Sequence, residues 1–77
     1  MFEVFGKPNC KYCTKAKDLL DELGVAYRYI DLTEDYFAMK MIIAEGHTTV
    51  PVISLNGGLI GGFTELGEFV KDFPKNP

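Results

Sequence analysis

The chain has 77 residues, of which 47% are hydrophobic and ten are aromatic, so we expect one packed domain over residues 1–77 and not a disordered chain. Its net charge of −3 argues against general binding to nucleic acid. The sequence has no apolar run of about 18 residues that would predict a membrane span, and Met1–Val4 lacks the basic start of a secretory signal. We therefore expect a cytoplasmic protein that is a monomer and does not bind membranes.

The first third of the chain predicts a strand, a helix and a second strand. Phe2–Phe5 is an apolar run typical of a central strand. Lys11–Leu23 has apolar residues at helical spacing, and Gly24 is the residue type that often follows the end of a helix. Val25–Ile30 is rich in residues that favour strands. This order predicts two parallel strands joined by a right-handed crossover.

A second helix is expected in the middle of the chain. Asp31 and Thr33 would begin it, with Thr33 as the capping residue, and Gly46 would end it. Its apolar face is predicted to contain Phe37, Met41 and Ala44, with Ala38 and Ile42 beside them. We interpret these residues as core packing and not as a cofactor site.

The last third of the chain predicts two short strands and a helix. The strands are Val52–Leu55 and Leu59-Ile60, and Asn56-Gly57 between them is a strong hairpin signal. Thr64 would cap the last helix, whose apolar residues recur at helical spacing: Leu66, Phe69, Val70 and Phe73. The whole pattern is βαβαββα. It predicts an α/β fold in which three helices flank the two faces of a four-stranded mixed sheet.

The two cysteines of the chain, Cys10 and Cys13, lie where the first predicted strand is followed by the first helix. A Cys-x-x-Cys pair at such a junction is typical of a thioredoxin-like redox site. Residues three apart share one face of a helix, so the two sulfurs can meet in a disulfide. The helix start offers unpaired N–H groups and the positive end of the dipole to a thiolate. Cysteines so placed have pKa values of roughly 3.5–7.5 instead of about 8.5, and we expect this of Cys10.

Half of the eight basic residues lie around this pair: Lys7, Lys11, Lys15 and Lys17. The acidic residues of the predicted helix follow them, which is the reverse of the charge order that a helix dipole prefers. We interpret this order as favouring an anion at the helix start, either a thiolate or an anionic ligand. The alternative, a solvated face of mixed charge, applies most to Lys15 and Lys17.

The small number of cysteines limits the possible chemistry. In a reducing compartment a lone pair of cysteines is more often catalytic or metal-binding than structural. A closed zinc site needs four ligands, whereas this chain offers two cysteines and one histidine, His47, that is distant in sequence. We therefore expect a redox pair, no bound metal, and no catalytic role for His47.

Four short motifs occur in a fixed order along the chain. They are Lys7-x-x-Cys10-x-Tyr12-Cys13, Thr49-Val50-Pro51, Asn56-Gly57 and Gly61-Gly62-Phe63-Thr64. Together with the βαβαββα pattern they resemble the glutaredoxin family over nearly the whole chain, and most of all its small bacterial and phage-type dithiol members. The resemblance implies a thioredoxin-like fold, thiol–disulfide oxidoreductase activity and glutathione as the reductant.

The resemblance also implies a role for each motif residue. Cys10 would attack a substrate disulfide, and Cys13 would resolve the mixed disulfide that forms. Pro51 would be a cis proline beside the disulfide, although the residues alone favour the commoner trans form. The last helix would bind the γ-glutamyl carboxylate of glutathione at its start. The implied glutathione contacts are Lys7, Tyr12, Thr49, Val50, Pro51, Gly62, Phe63 and Thr64.

Three residues depart from the commonest pattern of the family. Lys11 replaces a proline between the cysteines, and Phe63 replaces a small residue or a cysteine. Ala38 lies near the position at which some relatives have a glutamine that contacts glutathione; Lys40 is one candidate to take its place. Lys11 should loosen the turn between the cysteines slightly and add positive charge near Cys10, and the three departures together bear more on glutathione affinity than on the redox chemistry.

Three hypotheses of function follow. The first is a dithiol glutaredoxin that reduces glutathione mixed disulfides and protein disulfides, with ribonucleotide reductase as the usual client of the family. The second is a glutaredoxin-like hydrogen donor that is reduced by thioredoxin reductase. The third is a binding module in which Cys10 and external glutathione hold an iron–sulfur cluster between two subunits.

Overall fold

The computed structural model of the protein describes residues 1–74, and within them the predicted order βαβαββα is confirmed. The elements are β1 (Phe2–Gly6), α1 (Lys11–Leu23), β2 (Tyr27–Asp31), α2 (Tyr36–Ala44), β3 (Val52–Leu55), β4 (Gly58–Gly61) and α3 (Phe63–Val70). None of the helices in this part of the chain is long and apolar enough to cross a membrane.

The four strands form one mixed sheet, as predicted, and their order in it is β2-β1-β3-β4. β1 and β2 are parallel, with Phe5 opposite Ile30, and α1 connects them. β3 is antiparallel to β1 and to β4, and the turn between β3 and β4 contains Asn56 and Gly57, both with positive φ. The chain therefore leaves β1 at the carboxyl end of the parallel pair, and the first cysteine follows there.

An apolar layer covers each face of the sheet. Successive residues of a strand point to opposite faces, so Val4 and Ile53 are buried against α1 and α3, whereas Phe5 and Val52 are buried against α2. The layer beneath α1 and α3 also contains Phe2, Ala16, Leu20, Leu23, Leu66 and Val70. This layer fixes α1, and with it the cysteines, against the central strands.

The second helix begins later than predicted. α2 starts at Tyr36, and its capping residue is Asp35, whose carboxylate accepts a hydrogen bond from the Ala38 N–H at 2.9 Å. Thr33, the predicted cap, lies in the preceding turn, where its hydroxyl donates to Asp31 Oδ1 at 2.6 Å. The prediction was wrong because the Asp31 carboxylate already holds Thr33 in a turn, and Asp35 is an equally good capping residue.

The buried face of α2 also differs from the prediction. Phe37 is 82% exposed, and Met41 and Ala44 are exposed as well. Ile42 is buried, with Ala38 and Met39 packed against the same layer. All residues from 36 to 44 except Lys40 are apolar or aromatic, so the sequence offers several apolar stripes. The residue at which the helix starts determines which stripe faces the sheet, and the prediction placed that start too early.

The starts of β2 and α3 also differ from the prediction, whereas β1, β2 and β4 each extend one residue beyond a predicted end. β2 begins at Tyr27 and not at Val25, because Gly24 ends α1 in the left-handed conformation and the Val25 N–H still bonds to the Leu20 carbonyl of that helix at 3.3 Å. α3 begins at Phe63 with Gly62 as its cap, so Thr64 lies within the first turn and does not cap the helix. Glycine has no side chain with which to signal a cap, although it is about as common as threonine at this position.

Candidate active site

Cys10 and Cys13 form a disulfide at the start of α1, with their Cα atoms 5.2 Å apart. Cys10 is the capping residue of the helix, and its sulfur accepts a hydrogen bond from the Cys13 N–H at 3.2 Å. The Cys10 carbonyl accepts the Thr14 N–H at 3.1 Å and so begins the helical ladder. The sulfur therefore occupies the position at which a serine or aspartate oxygen usually meets the free N–H groups of a helix.

The two sulfurs differ in their access to solvent. Cys10 is partly exposed, whereas Cys13 is only 1% exposed and belongs to the apolar interior. An attacking thiolate can therefore reach Cys10 from outside but not Cys13. This difference fits the predicted roles, in which Cys10 exchanges with substrates and Cys13 reacts only with its neighbour.

The loop before β3 lies against the exposed sulfur. The Val50–Pro51 peptide bond is cis, and Pro51 is buried. The carbonyl oxygen of Val50 lies 3.9 Å from Cys10 Sγ. The cis form implied by the family resemblance is therefore present, and the Val50 backbone borders the disulfide.

A groove of about 180 Å³ begins beside the cysteines and ends at the start of α3. Its lining brings together seven of the eight predicted glutathione contacts, namely Tyr12, Thr49, Val50, Pro51, Gly62, Phe63 and Thr64. The rings of Tyr12 and Phe63 form a tilted pair with centroids 5.7 Å apart, and Tyr12 is 51% exposed. The groove thus offers an aromatic wall, and the backbone beside the cis proline forms another part of its lining.

Lys7, the eighth predicted contact, lines a neighbouring depression of about 190 Å³. Thr49 and Val50 border both depressions, so Lys7 faces the same loop from the other side. His47 lines this second depression, with its Nε2 3.7 Å from Glu45 Oε1. Lys40 does not line either one, because its Nζ lies 5.6 Å from the ring of Tyr36. Lys40 is therefore a poor substitute for the glutamine of other family members.

Glu65 is a residue of the groove that the sequence analysis missed. Its Oε1 accepts a hydrogen bond from the Gly62 N–H at 2.8 Å, so the carboxylate already occupies part of the start of α3. The signal was present in the sequence, since a glutamate three residues after a capping position is the capping-box pattern. A ligand carboxylate at this helix start must compete with Glu65 or use the neighbouring N–H groups.

The predicted positive charge near Cys10 is partly confirmed. Lys11 and Lys15 place their Nζ atoms 6.0 and 5.7 Å from the centroid of Tyr12, beside the groove. Lys17 instead lies 4.1 Å from the ring of Tyr29, on the other side of the helix start. The ion pairs seen within residues 1–74 join Arg28 to Glu3, His47 to Glu45 and Lys71 to Glu68, and none of them involves these lysines or Lys7.

Residues 1–74 contain no cluster of side chains that could hold a metal ion. No three side chains of histidine, cysteine, aspartate or glutamate in this part of the chain converge on one point. Cys10 and Cys13 are the natural ligands of a soft metal, and here they are joined to each other.

Comparison with known proteins identifies the family. The sequence model of the glutaredoxins matches residues 2–60. The chain belongs to the glutaredoxin family. Members of this family are thiol–disulfide oxidoreductases, and the Cys10–Cys13 pair is the redox pair expected of one.

Individual relatives agree with this assignment. A glutaredoxin of Ricinus communis is 44% identical over 63 residues, which cover 77% of this chain and 62% of the relative. A hybrid peroxiredoxin of Haemophilus influenzae, hyPrx5, is 36% identical over 66 residues, which cover 86% of this chain but 27% of the relative. The chain thus spans about a quarter to three fifths of the length of these relatives.

Solved structures show the same fold. A buckwheat glutaredoxin in complex with glutathione superposes with a TM-score of 0.78 at 32% identity, over 92% of this chain and 68% of that one. The NrdH-redoxin of Escherichia coli superposes with a TM-score of 0.81 over 99% of this chain and 97% of that one. At 17% identity the second likeness concerns the fold alone.

Proposed function

We propose that this chain is a dithiol glutaredoxin that reduces protein disulfides and glutathione mixed disulfides and is itself reduced by glutathione. The observation that supports this most is the asymmetry of the cysteine pair at the start of α1. Cys10 is partly exposed among free N–H groups, and Cys13 is buried one turn behind it. A pair with one accessible and one shielded sulfur suits exchange in two ordered steps.

The proposed reaction begins with the reduced protein. The Cys10 thiolate attacks one sulfur of a substrate disulfide, and the other substrate sulfur leaves as a thiolate. The Cys13 thiolate then attacks the Cys10 sulfur and releases the second substrate sulfur as a thiolate. This step forms the Cys10–Cys13 disulfide. One glutathione thiolate opens this disulfide at Cys10, and a second releases glutathione disulfide. Two electrons and two protons pass from two glutathione molecules to the substrate.

The groove supplies the proposed glutathione site. A glutathione sulfur bonded to Cys10 would place the tripeptide between the Tyr12 wall and the Val50 backbone. Lys7 would pair with one carboxylate from the neighbouring depression. Gly62, Phe63 and Thr64 would contact the γ-glutamyl end at the start of α3. A buckwheat relative that was solved in complex with glutathione supports glutathione as the ligand.

The Glu65 carboxylate favours a second candidate function, in which thioredoxin reductase and not glutathione reduces the protein. Because it occupies the Gly62 N–H and adds negative charge to the groove, it weakens the case for an anionic ligand there. A chain that binds glutathione poorly would need another reductant, and reduction by thioredoxin reductase is the second candidate.

The client and compartment are proposed from the family alone. We propose ribonucleotide reductase as a protein client, because it is the usual one in this family. We propose the cytoplasm as the site of action, since a reducing compartment keeps the cysteine pair ready for the next reaction.

Two coupled assays test the proposal. The chain is supplied with a protein disulfide and either glutathione, glutathione reductase and NADPH, or thioredoxin reductase and NADPH. We expect turnover in the first system, and turnover only in the second would refute glutathione dependence. In the first system Cys13→Ser should lose protein-disulfide reduction but retain release of glutathione from mixed disulfides, which needs only Cys10. Loss of both reactions in a folded Cys13→Ser protein would contradict the assigned roles.

A further inference from the structure

The buried sulfur of Cys13 and the hydroxyl of Tyr29 both lie against Gly6. A β-carbon placed on Gly6 would lie 2.6 Å from the Tyr29 hydroxyl oxygen and 2.8 Å from Cys13 Sγ. The hydroxyl of Tyr29 in β2 and the sulfur of Cys13 in α1 therefore both occupy the space that a side chain at position 6 would need. Gly6 leaves the room in which the hydroxyl and the sulfur can approach each other.

Tyr29 is well suited to donate a hydrogen bond at this position. Burial raises the pKa of its phenol, and the charge of Asp31 raises it further, so the hydroxyl keeps its proton at neutral pH. In the disulfide form the hydroxyl donates to the Lys7 carbonyl over 3.4 Å, which is a long bond. Because a hydroxyl proton rotates freely about the C–O bond, it can turn towards a sulfur that acquires charge.

The charges around Tyr29 come from three elements. Lys17 of α1 places its Nζ 4.1 Å from the ring centroid, so a cation lies on the face of the phenol. Asp31 of β2 follows two residues later on the same strand, and the loop after β1 contributes the Lys7 carbonyl. The ring also borders an open depression of about 780 Å³, from which solvent can supply or take a proton.

Cys13 needs such a donor twice in the proposed cycle. When glutathione attacks Cys10, the S–S bond breaks and Cys13 leaves as a thiolate in an apolar interior, where an unpaired charge is costly. When Cys13 attacks the mixed disulfide, it must first lose its proton. In both steps a donor that favours the thiolate speeds the reaction, since the thiolate is the nucleophile and the better leaving group.

We propose that the Tyr29 hydroxyl is the hydrogen-bond donor that stabilises the Cys13 thiolate whenever the disulfide opens or closes. This role rests on the proposed redox function and adds to it a catalytic residue that contacts the reacting sulfur. The bond that breaks is Cys10–Cys13, the electron pair stays on Cys13, and the proton that finally neutralises this sulfur comes from solvent. Tyr29 keeps its own proton throughout.

The matched control lies on the same strand. Tyr27 is two residues before Tyr29, so both side chains leave the same face of β2. The Tyr27 phenol is also partly buried, but it faces Asp21 near the far end of α1. Tyr27→Phe therefore removes an equivalent hydroxyl from the same sheet face without touching the disulfide.

The test isolates Cys13 in a Cys10→Ser background and follows thiolate absorbance against pH. Tyr29→Phe should raise the pKa of Cys13 by about one unit, a tenfold loss of thiolate at a given pH, because a hydrogen bond to a charged group is lost. Tyr27→Phe should leave the titration unchanged. An equal pKa in the Tyr29→Phe and parent proteins, or an equal shift in the Tyr27→Phe protein, would overturn the proposal.

A second measurement uses the intact cysteine pair. Dithiothreitol opens the disulfide, and acid quenching followed by chromatography gives the rate. We expect Tyr29→Phe to slow opening and Tyr27→Phe to leave it unchanged. Because dithiothreitol replaces glutathione, this result does not depend on which reductant the chain uses. A wild-type protein that fails to turn over with glutathione would refute the proposed function but not the role of Tyr29.

Discussion

Replacement of Gly6 by alanine tests the packing that brings Tyr29 and Cys13 together. The new methyl group would lie 2.6 Å from the tyrosine oxygen and 2.8 Å from the sulfur, well inside the ~3.5 Å at which such atoms make favourable contact. The sulfur cannot move away freely, because the disulfide ties it to Cys10. The ring of Tyr29 or the end of β1 must shift instead.

The expected cost follows from known effects of overpacking. Extra methyl groups in well-packed interiors destabilise by about 1–3 kcal/mol, so we expect Gly6→Ala to lower the free energy of unfolding by about 2 kcal/mol. In a chain of this length that corresponds to a fall in Tm of about 10 °C. Thermal and urea unfolding of the oxidised protein, followed by circular dichroism, measure both quantities.

Two further variants test whether the loss of stability comes from the contacts around Gly6. Gly67 lies within α3, and a β-carbon there would meet no atom within 4 Å, so Gly67→Ala should raise stability by up to about 1 kcal/mol. Adding Tyr29→Phe to Gly6→Ala removes the oxygen of the closer contact and should recover part of the loss. The packing described here would be refuted if Gly6→Ala were as stable as the parent protein.

Three other predictions concern caps, charge and alkaline pH. Asp35→Ala should cost about 1 kcal/mol in urea unfolding and Thr33→Ala clearly less, because Asp35 caps α2; equal losses would contradict this. Lys7→Glu should raise KM for glutathione disulfide and weaken the dependence of the rate on salt; an unchanged KM would remove Lys7 from the site. The folded pKa values of Tyr27 and Tyr29 are raised, so stability should fall as pH rises above about 10, the unperturbed value, and Tyr→Phe variants should resist that fall. Equal alkaline unfolding of parent and variants would contradict the last prediction.

Local patterns were sufficient to predict the fold and the redox pair. The periodicity of Lys11–Leu23, the hairpin signal at Asn56-Gly57 and the cysteine spacing all depend on neighbours in sequence. Each pattern has one physical interpretation, and the structure contains the element that each predicts. The groove residues followed from the family resemblance, since nothing local connects Tyr12 with Thr64.

The errors occur where several residues suit the same local role. Thr33 and Asp35 are both good capping residues, and only the turn at Asp31 decides between them. Because almost every residue of α2 is apolar, the sequence did not show which face of this helix would be buried. Contacts between distant segments were missed for a different reason. The Tyr29 hydroxyl and the Cys13 sulfur both approach Gly6 because β1 and β2 pair in one register, which the sequence does not specify.

The most direct test concerns the sulfur of Cys10 in the reduced protein. Free helix-end N–H groups and nearby lysines should keep this sulfur deprotonated at neutral pH, and the measurement is the rate of its alkylation by iodoacetamide against pH. We predict half-maximal reaction below pH ~7.5, with Cys13 protected until much higher pH. Half-maximal reaction near pH ~8.5, as in an unstructured peptide, would contradict the proposed mechanism.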